Sequence, residues 1–175
     1  LFENVLHVHA SDKVAQVYLE RCNDQLSTLP VTSTILIVDD VLENVSILFE
    51  VLTNNNFEVL VADSGEATLQ VIQYEQPDLI LLDVMMPGID GFETCRRLKV
   101  NPETRDIPII FMTALAETVN KVKGFELGAV DYVTKPFDHE EVLARIRTQL
   151  KIRHLQKQLQ AKNLELERHN LELRD

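Results

Sequence analysis

The stretch that decides the fold reads LILLDVMMPGIDG and runs from Leu79 to Gly91. It opens on four consecutive apolar residues and ends abruptly in one carboxylate, Asp83, before a Pro-Gly turn. A short apolar run bounded by turn signals predicts a strand that is buried on both faces, as in a parallel sheet. We therefore expect an acid at the carboxyl end of a central strand, the edge where open parallel sheets bind ligands. An Asp at such a point can equally cap the following turn.

The composition limits the class of protein. With 175 residues, 45% of them hydrophobic, the chain has room for one full domain with appendages. Its formal net charge of -11 is repelled by nucleic acids and anionic membranes, so we expect no direct nucleic-acid binding. Because the sequence has no apolar run of about 18 residues and no signal peptide, we expect no membrane insertion and a cytoplasmic location. The chain opens on Leu1 rather than Met, so we expect it to be part of a longer protein.

Three segments of the chain differ in their sequence patterns. Residues 1–33 predict a short helix, capped by Ser11 or Asp12, that packs on the neighbouring domain. About a dozen of these residues also resemble the second half of a tetratricopeptide-like helical hairpin, as found after some class III nucleotide cyclase domains. Residues 34–150 alternate short apolar strands with amphipathic helices, and residues 151–175 continue the last helix.

The alternating segment predicts an α/β fold. Alternation at this spacing is typical of a parallel sheet with helices on both faces, and for this size we expect a five-stranded, doubly wound, flavodoxin-like sheet. The predicted strands are Ile35–Val38, Phe57–Ala62, Leu79–Leu82, Ile107–Met112 and Val130–Val133. The helix after the fourth strand is predicted to end at Gly128, since glycine commonly closes a helix.

Polar groups follow the ends of four of these strands. They are Asp39 and Asp40 after strand one, Asp83 after strand three, Thr113 after strand four and Lys135 after strand five. Parallel strands bring these ends to one edge, where three carboxylates repel one another unless a cation joins them, and Mg²⁺ is the expected ion. A lysine and a hydroxyl beside that ion are groups that stabilise a transferring phosphoryl unit. Asp83 is then the best-placed nucleophile.

This constellation resembles the receiver domain of response regulators in two-component signalling, over roughly Thr34 to Leu150. The resemblance implies that Asp83 is the phosphoacceptor and that Asp40 and Asp83 bind Mg²⁺ directly. It also implies that Asp39 acts on the ion through water and that Met85 contributes its backbone carbonyl. As in that family, the expected partner is a histidine kinase or a phosphotransfer protein.

The resemblance further implies a switch at the same edge. Thr113 and Lys135 would contact the phosphoryl oxygens, and Tyr132 would change rotamer as Thr113 is drawn in. The bond between Lys135 and Pro136 is implied to be cis. We expect no enzyme activity from such a domain beyond the removal of its own phosphoryl group.

Three alternative functions use similar parts. A haloacid-dehalogenase phosphatase needs a second Asp two positions after the nucleophile, where this chain has Met85. A flavodoxin-type cofactor binder needs a Ser, Thr or Gly loop after strand one, and the acidic loop DDVLE would repel phosphate. The third alternative, a receiver fold kept as a non-phosphorylated dimerisation or spacer module, stays open from the sequence.

The tail predicts a long helix. From Glu140 to Asp175 no Gly or Pro interrupts the chain, and about 36 residues at about 1.5 Å each give a rod of about 54 Å. Its apolar and Asn positions recur by threes and fours: Ile152, Leu155, Leu159, Asn163, Leu166, Asn170 and Leu173. This spacing predicts a parallel homodimeric coiled coil with a stutter. Such helices resemble connectors that lead to a histidine kinase, diguanylate cyclase or nucleotide cyclase, and no such output domain lies in this sequence.

Overall fold

The computed structural model describes residues 32–114 and 123–172, with side chains as far as His169. The predicted N-terminal helix, most of the helix after strand four, and the last seam residue therefore lie outside the described residues. The sheet strands are β1 (Thr34–Val38), β2 (Glu58–Ala62), β3 (Leu79–Asp83), β4 (Ile109–Ala114) and β5 (Asp131–Lys135). All five predicted strands are thereby confirmed.

The five strands form one parallel sheet in the order β2-β1-β3-β4-β5. This order confirms the predicted doubly wound, flavodoxin-like fold. The apolar run of β3 occupies the centre, and each of its five residues is buried. Its last residue, Asp83, lies beside Met112 of β4, so the acid stands at the carboxyl edge of the sheet.

Several strand ends differ from the sequence prediction by one or two residues, and the ends of β4 and β5 bear on the site. Thr113 pairs with Thr134 and Ala114 pairs with Lys135, so β4 and β5 continue two residues further than expected. Thr113 and Lys135 are thus held in the ladder instead of following it in a loop. At its other end β4 begins at Ile109 rather than Ile107, since Pro108 has no N–H for the ladder and contributes only its carbonyl, to Ile80.

Helices cover both faces of the sheet. They are α1 (Leu42–Asn54), α2 (Gly65–Tyr74), α3 (Gly91–Val100) and α4 (His139–Glu172). The side chains of α2 and α3 pack into one hydrophobic cluster and those of α1 and α4 into the other, on opposite faces of the strands. Ser64 caps α2, because its Oγ accepts a hydrogen bond from the Ala67 N–H at 3.2 Å. The helical turn at 123–126 ends at Gly128, which has a φ of +93°.

The last helix, α4, runs without interruption for 34 residues. Val142, Leu143 and Ile146 are buried against the sheet. Beyond Leu150 the predicted seam lies in solvent, with Leu155 54% exposed and Leu159 62% exposed. Across residues 32–114 and 123–172, we find no helix long and apolar enough to cross a bilayer.

Candidate functional site

The centre of the site is an ion bridge across three strands. Lys135 Nζ at the end of β5 lies 2.6 Å from Asp39 Oδ2 and 2.8 Å from Asp83 Oδ2. Asp39 follows β1 directly, and Asp83 ends β3. Because β1, β3 and β5 all present their carboxyl ends at the same edge, residues that are 96 positions apart in sequence come into contact. The structure thus brings three of the predicted site residues, Asp39, Asp83 and Lys135, into contact.

Burial controls the charges in this bridge. Asp39 is 1% exposed and Asp83 is 4% exposed. Burial raises the pKa of Asp83; the hydrogen bond and charge of Lys135 oppose the rise, and the Asp39 carboxylate adds to it. Burial lowers the pKa of Lys135, but the hydrogen bonds and charges of both carboxylates outweigh that effect, and the pKa is raised. The ammonium therefore stays charged, and its charge favours the ionised form of Asp83.

Asp39 accepts four hydrogen bonds from three donor groups. Its Oδ1 accepts from the Val41 N–H at 2.8 Å and from Asn44 Nδ2 at 3.2 Å. Its Oδ2 accepts from Asn44 Nδ2 at 3.0 Å and from Lys135 Nζ. Asn44 was not singled out from the sequence, although an amide in the first turn of the helix after an Asp pair was a signal for it. These bonds occupy both oxygens of Asp39 and fix the carboxylate facing the bridge.

The acidic cluster suits a hard divalent cation. Asp39, Asp40 and Asp83 can each offer one carboxylate oxygen such that the three oxygens lie within 4.8 Å of one another. Ligands around Mg²⁺ sit about 2.0 to 2.1 Å from the ion, so opposite ligands are about 4.2 Å apart, and small rotamer changes bring these oxygens into range. Three carboxylates against one ammonium leave an excess of negative charge. The residues therefore fit the predicted Mg²⁺ ion.

The loop after β3 is fixed at its base and at its tip. The Gly91 N–H donates to the Val84 carbonyl at 3.0 Å, and a Cβ on Gly91 would lie 2.1 Å from the Asp83 carbonyl oxygen. At the tip, Glu66 Oε1 of α2 accepts from the Ile89 N–H at 3.1 Å. This contribution of α2 was not predicted. The loop also carries Met85, whose side chain points into solvent and is 74% exposed.

Thr113 lies on β4, the strand next to that of Asp83, and Tyr132 lies on β5, one strand further out. Thr113 is buried, and its hydroxyl donates to the Ala114 carbonyl at 3.4 Å. Both residues line a cavity together with Val84 and Phe125. The Tyr132 ring is half-buried and packs edge-on against Phe125, with ring centroids 6.1 Å apart. The two predicted switch residues thus share one space beside the site.

Comparison with known proteins decides the family. A sequence model described as the response regulator receiver domain matches residues 35–147. The chain belongs to this family. The receiver is 45% identical over 117 residues to the response regulator PleD of Caulobacter vibrioides, which covers 67% of this chain and 26% of PleD. It is 46% identical over 121 residues to the phosphate regulon transcriptional regulatory protein PhoB of Pseudomonas aeruginosa, covering 69% of this chain and 53% of PhoB.

A solved structure agrees with this assignment. The receiver domain of a signal transduction histidine kinase from Syntrophus aciditrophicus superposes with a TM-score of 0.64 at 32% identity, covering 69% of this chain and 91% of that one. The predicted family and the predicted fold are confirmed. The chain spans only a quarter to a half of the curated relatives named above. The roles of the individual site residues and of the long helix remain predictions.

Proposed function

We propose that this receiver accepts a phosphoryl group on Asp83 from the phosphohistidine of a histidine kinase or phosphotransfer protein. The observation that carries the proposal is the Lys135 ammonium shared between Asp39 and Asp83 at 2.6 and 2.8 Å. A bare pair of carboxylates would repel an anionic donor. The bound ammonium lowers that repulsion and can turn toward the incoming phosphoryl oxygens while Asp39 keeps its other donors.

The proposed step is a single phosphoryl transfer. One Asp83 oxygen attacks phosphorus, forming a P–O bond, while the P–N bond of the phosphohistidine breaks and its electron pair stays on the imidazole nitrogen, which gains a proton. The product is an aspartyl phosphate, and nothing is oxidised or reduced. In this proposal Asp40, Asp83 and the Met85 carbonyl would hold Mg²⁺, and Asp39 would act on it through water. When bound, the ion supplies positive charge that makes the acidic edge tolerable to the donor.

The test is phosphorylation by acetyl phosphate with Mg²⁺, followed by intact-mass spectrometry. The native chain should gain one phosphate and Asp83→Ala should gain none. Asp63→Ala is the matched control, since Asp63 is an exposed acid just past the end of β2, at the same edge of the sheet. Labelling of Asp83→Ala at the native level, or loss of labelling in Asp63→Ala, would contradict the assignment of Asp83.

We further propose that α4 relays the phosphorylation state to an output domain as a parallel homodimeric coil. Support comes from the apolar side chains that α4 leaves in solvent, with Ile152, Leu159 and Leu166 respectively 44%, 62% and 59% exposed. Most of the stability of helices in proteins comes from packing of an apolar face, and a second copy would cover the apolar stripe of α4. Tyr132 lies on β5, the strand that precedes α4, and Thr113 pairs with the same strand. A movement of these two side chains on phosphorylation would therefore reach the base of α4 and the coil.

Analytical ultracentrifugation of the full chain tests the coil. The native chain should sediment as a dimer without phosphate, and Leu159→Glu should shift it toward monomer. Gln160→Glu, which adds the same charge one position off the seam, should leave the dimer intact. A monomeric native chain, or equal loss of dimer in both variants, would refute the coil. A dimer that acetyl phosphate cannot label would favour the alternative of a non-phosphorylated spacer module.

A further inference from the structure

The long helix is attached to the sheet beyond its hydrophobic core. Arg153 lies about one turn past Leu150, a partly buried apolar residue of α4 that packs on the core. Its guanidinium Nη1 donates to the backbone carbonyls of Pro77, at 3.3 Å, and Asp78. The side chain is partly buried among exposed neighbours on the same helix. Burial lowers the pKa of Arg153, with the Asp78 and Asp106 carboxylates acting in the opposite direction. A charged group that has lost part of its hydration depends on its hydrogen-bond acceptors for stabilisation.

The acceptors of Arg153 belong to the turn that starts the phosphoacceptor strand. Asp78 directly precedes β3, at the end opposite Asp83. The Asp78 N–H donates to the Thr34 carbonyl at 2.7 Å, and Asp78 Oδ2 accepts from the Thr34 N–H at 3.0 Å. The turn thus ties the amino ends of β1 and β3 together. Lys157, one turn further along α4, places its Nζ 4.0 Å from Asp78 Oδ1.

A second guanidinium fixes another side of the same helix. Arg147 Nη2 donates to Asn55 Oδ1 at 2.8 Å, in the turn between α1 and β2. Two arginines on α4 therefore reach two separate turns at the amino edge of the sheet. The two points of attachment lie six residues apart on the helix.

We propose that Arg153 is a positioning residue, which sets the direction in which α4 leaves the receiver and makes its segment 151–157 part of the receiver body. In place of a boundary at Leu150, the rigid unit would extend to Lys157, and free motion of the rod would begin after it. The role in signalling rests on the proposed function. The strand β3 is about 17 Å long at about 3.3 Å per residue. It would connect Asp83 at its carboxyl end with the turn that Arg153 binds at its amino end. Rotation of the receiver would then be carried into the rod instead of being lost at a flexible joint.

The test is a distance measurement within one chain. Spin labels are placed at Gln73→Cys on α2 and Gln160→Cys on the rod, in a background with Cys22→Ser and Cys95→Ala, and labelled chains are diluted with excess unlabelled chain so that only intrachain pairs contribute. Both sites are exposed. The parent should give one narrow distance distribution by pulsed electron paramagnetic resonance. Arg153→Ala should broaden or split it.

The matched control is Arg168→Ala, which removes an exposed arginine from the same helix. Hydrogen exchange adds a second measurement: amides of 151–157 should exchange roughly 10- to 100-fold faster in Arg153→Ala, which is about 1.4 to 2.8 kcal/mol at about 1.4 kcal/mol per tenfold change. An unchanged distance distribution in Arg153→Ala, or equal broadening in Arg168→Ala, would overturn the proposal. Acetyl phosphate labelling of Asp83 should persist in Arg153→Ala, so failure of the acceptor role and failure of the anchor give different results.

Discussion

Removal of the bridging ammonium is the sharpest test of the site. Lys135→Met keeps an unbranched stem and deletes the charge that lies 2.6 Å from Asp39 and 2.8 Å from Asp83. The three side chains are only 17%, 0% and 6% exposed, so solvent screens them little. Removal of one partner from a buried ion pair costs about 3 to 5 kcal/mol, and we expect about 3 kcal/mol because Asp83 can take up a proton. This corresponds to a melting temperature lower by roughly 6 to 12 °C.

The pH dependence gives this prediction a definite sign. Burial already raises the pKa of Asp83 above its ordinary value of 3.8, and loss of Lys135 removes the group that opposes the rise. The folded variant therefore binds the Asp83 proton more tightly than the unfolded chain does, so its stability falls as pH rises through the raised pKa. The cost of Lys135→Met should be largest at neutral pH, should shrink at mildly acidic pH, and should be partly offset by Mg²⁺.

Urea and thermal unfolding followed by circular dichroism measure this cost, in buffer with a chelator and again with Mg²⁺. Lys151→Met is the matched control, because Lys151 is an exposed lysine on α4. The reasoning would be refuted if, with chelator at neutral pH, Lys135→Met were as stable as Lys151→Met. If the loss of stability in Lys135→Met grew on acidification, it could not be assigned to an ionised Asp83.

Three further predictions concern the metal site, the loop after β3 and a buried thiol of the core. Calorimetric titration should show Mg²⁺ binding weakened by roughly 10- to 100-fold in Asp39→Ala and by more in Asp40→Ala, since the first acts through water; the reverse order would exchange their roles. Glu66→Ala should speed amide exchange at Ile89 by about tenfold, whereas Glu66→Gln retains the acceptor and should stay near native; equal effects would deny the hydrogen bond. Burial raises the pKa of Cys95 to about 11 from 9.0, so stability should fall as pH rises through that range, and iodoacetamide at mildly alkaline pH should modify this thiol only after unfolding.

The sequence by itself determined the fold and the chemical groups of the site. The run before Asp83 predicted a central buried strand because its apolar side chains are contiguous, and the sheet encloses all five residues of β3. The polar residues Asp39, Thr113 and Lys135 were assigned to one edge because every parallel strand presents its carboxyl end there. The long helix could also be predicted, since nothing in its sequence ends it before Glu172. These properties depend on neighbours along the chain, where the spacing of apolar residues shows the period of 2 of a strand or of about 3.6 of a helix.

The tertiary structure decided which atoms meet. The sequence placed Lys135 near the phosphoryl group but not between Asp39 and Asp83, a contact that requires the order β2-β1-β3-β4-β5 and the reach of one long side chain. Likewise Arg153 looks like one of many solvated charges on a helix until the fold brings the turn before β3 beneath it. Such contacts join residues tens of positions apart, and their geometry follows from strand order, sheet twist and side-chain rotamers. None of these leaves a periodic signal in the sequence, because each is set by the packing of the whole domain.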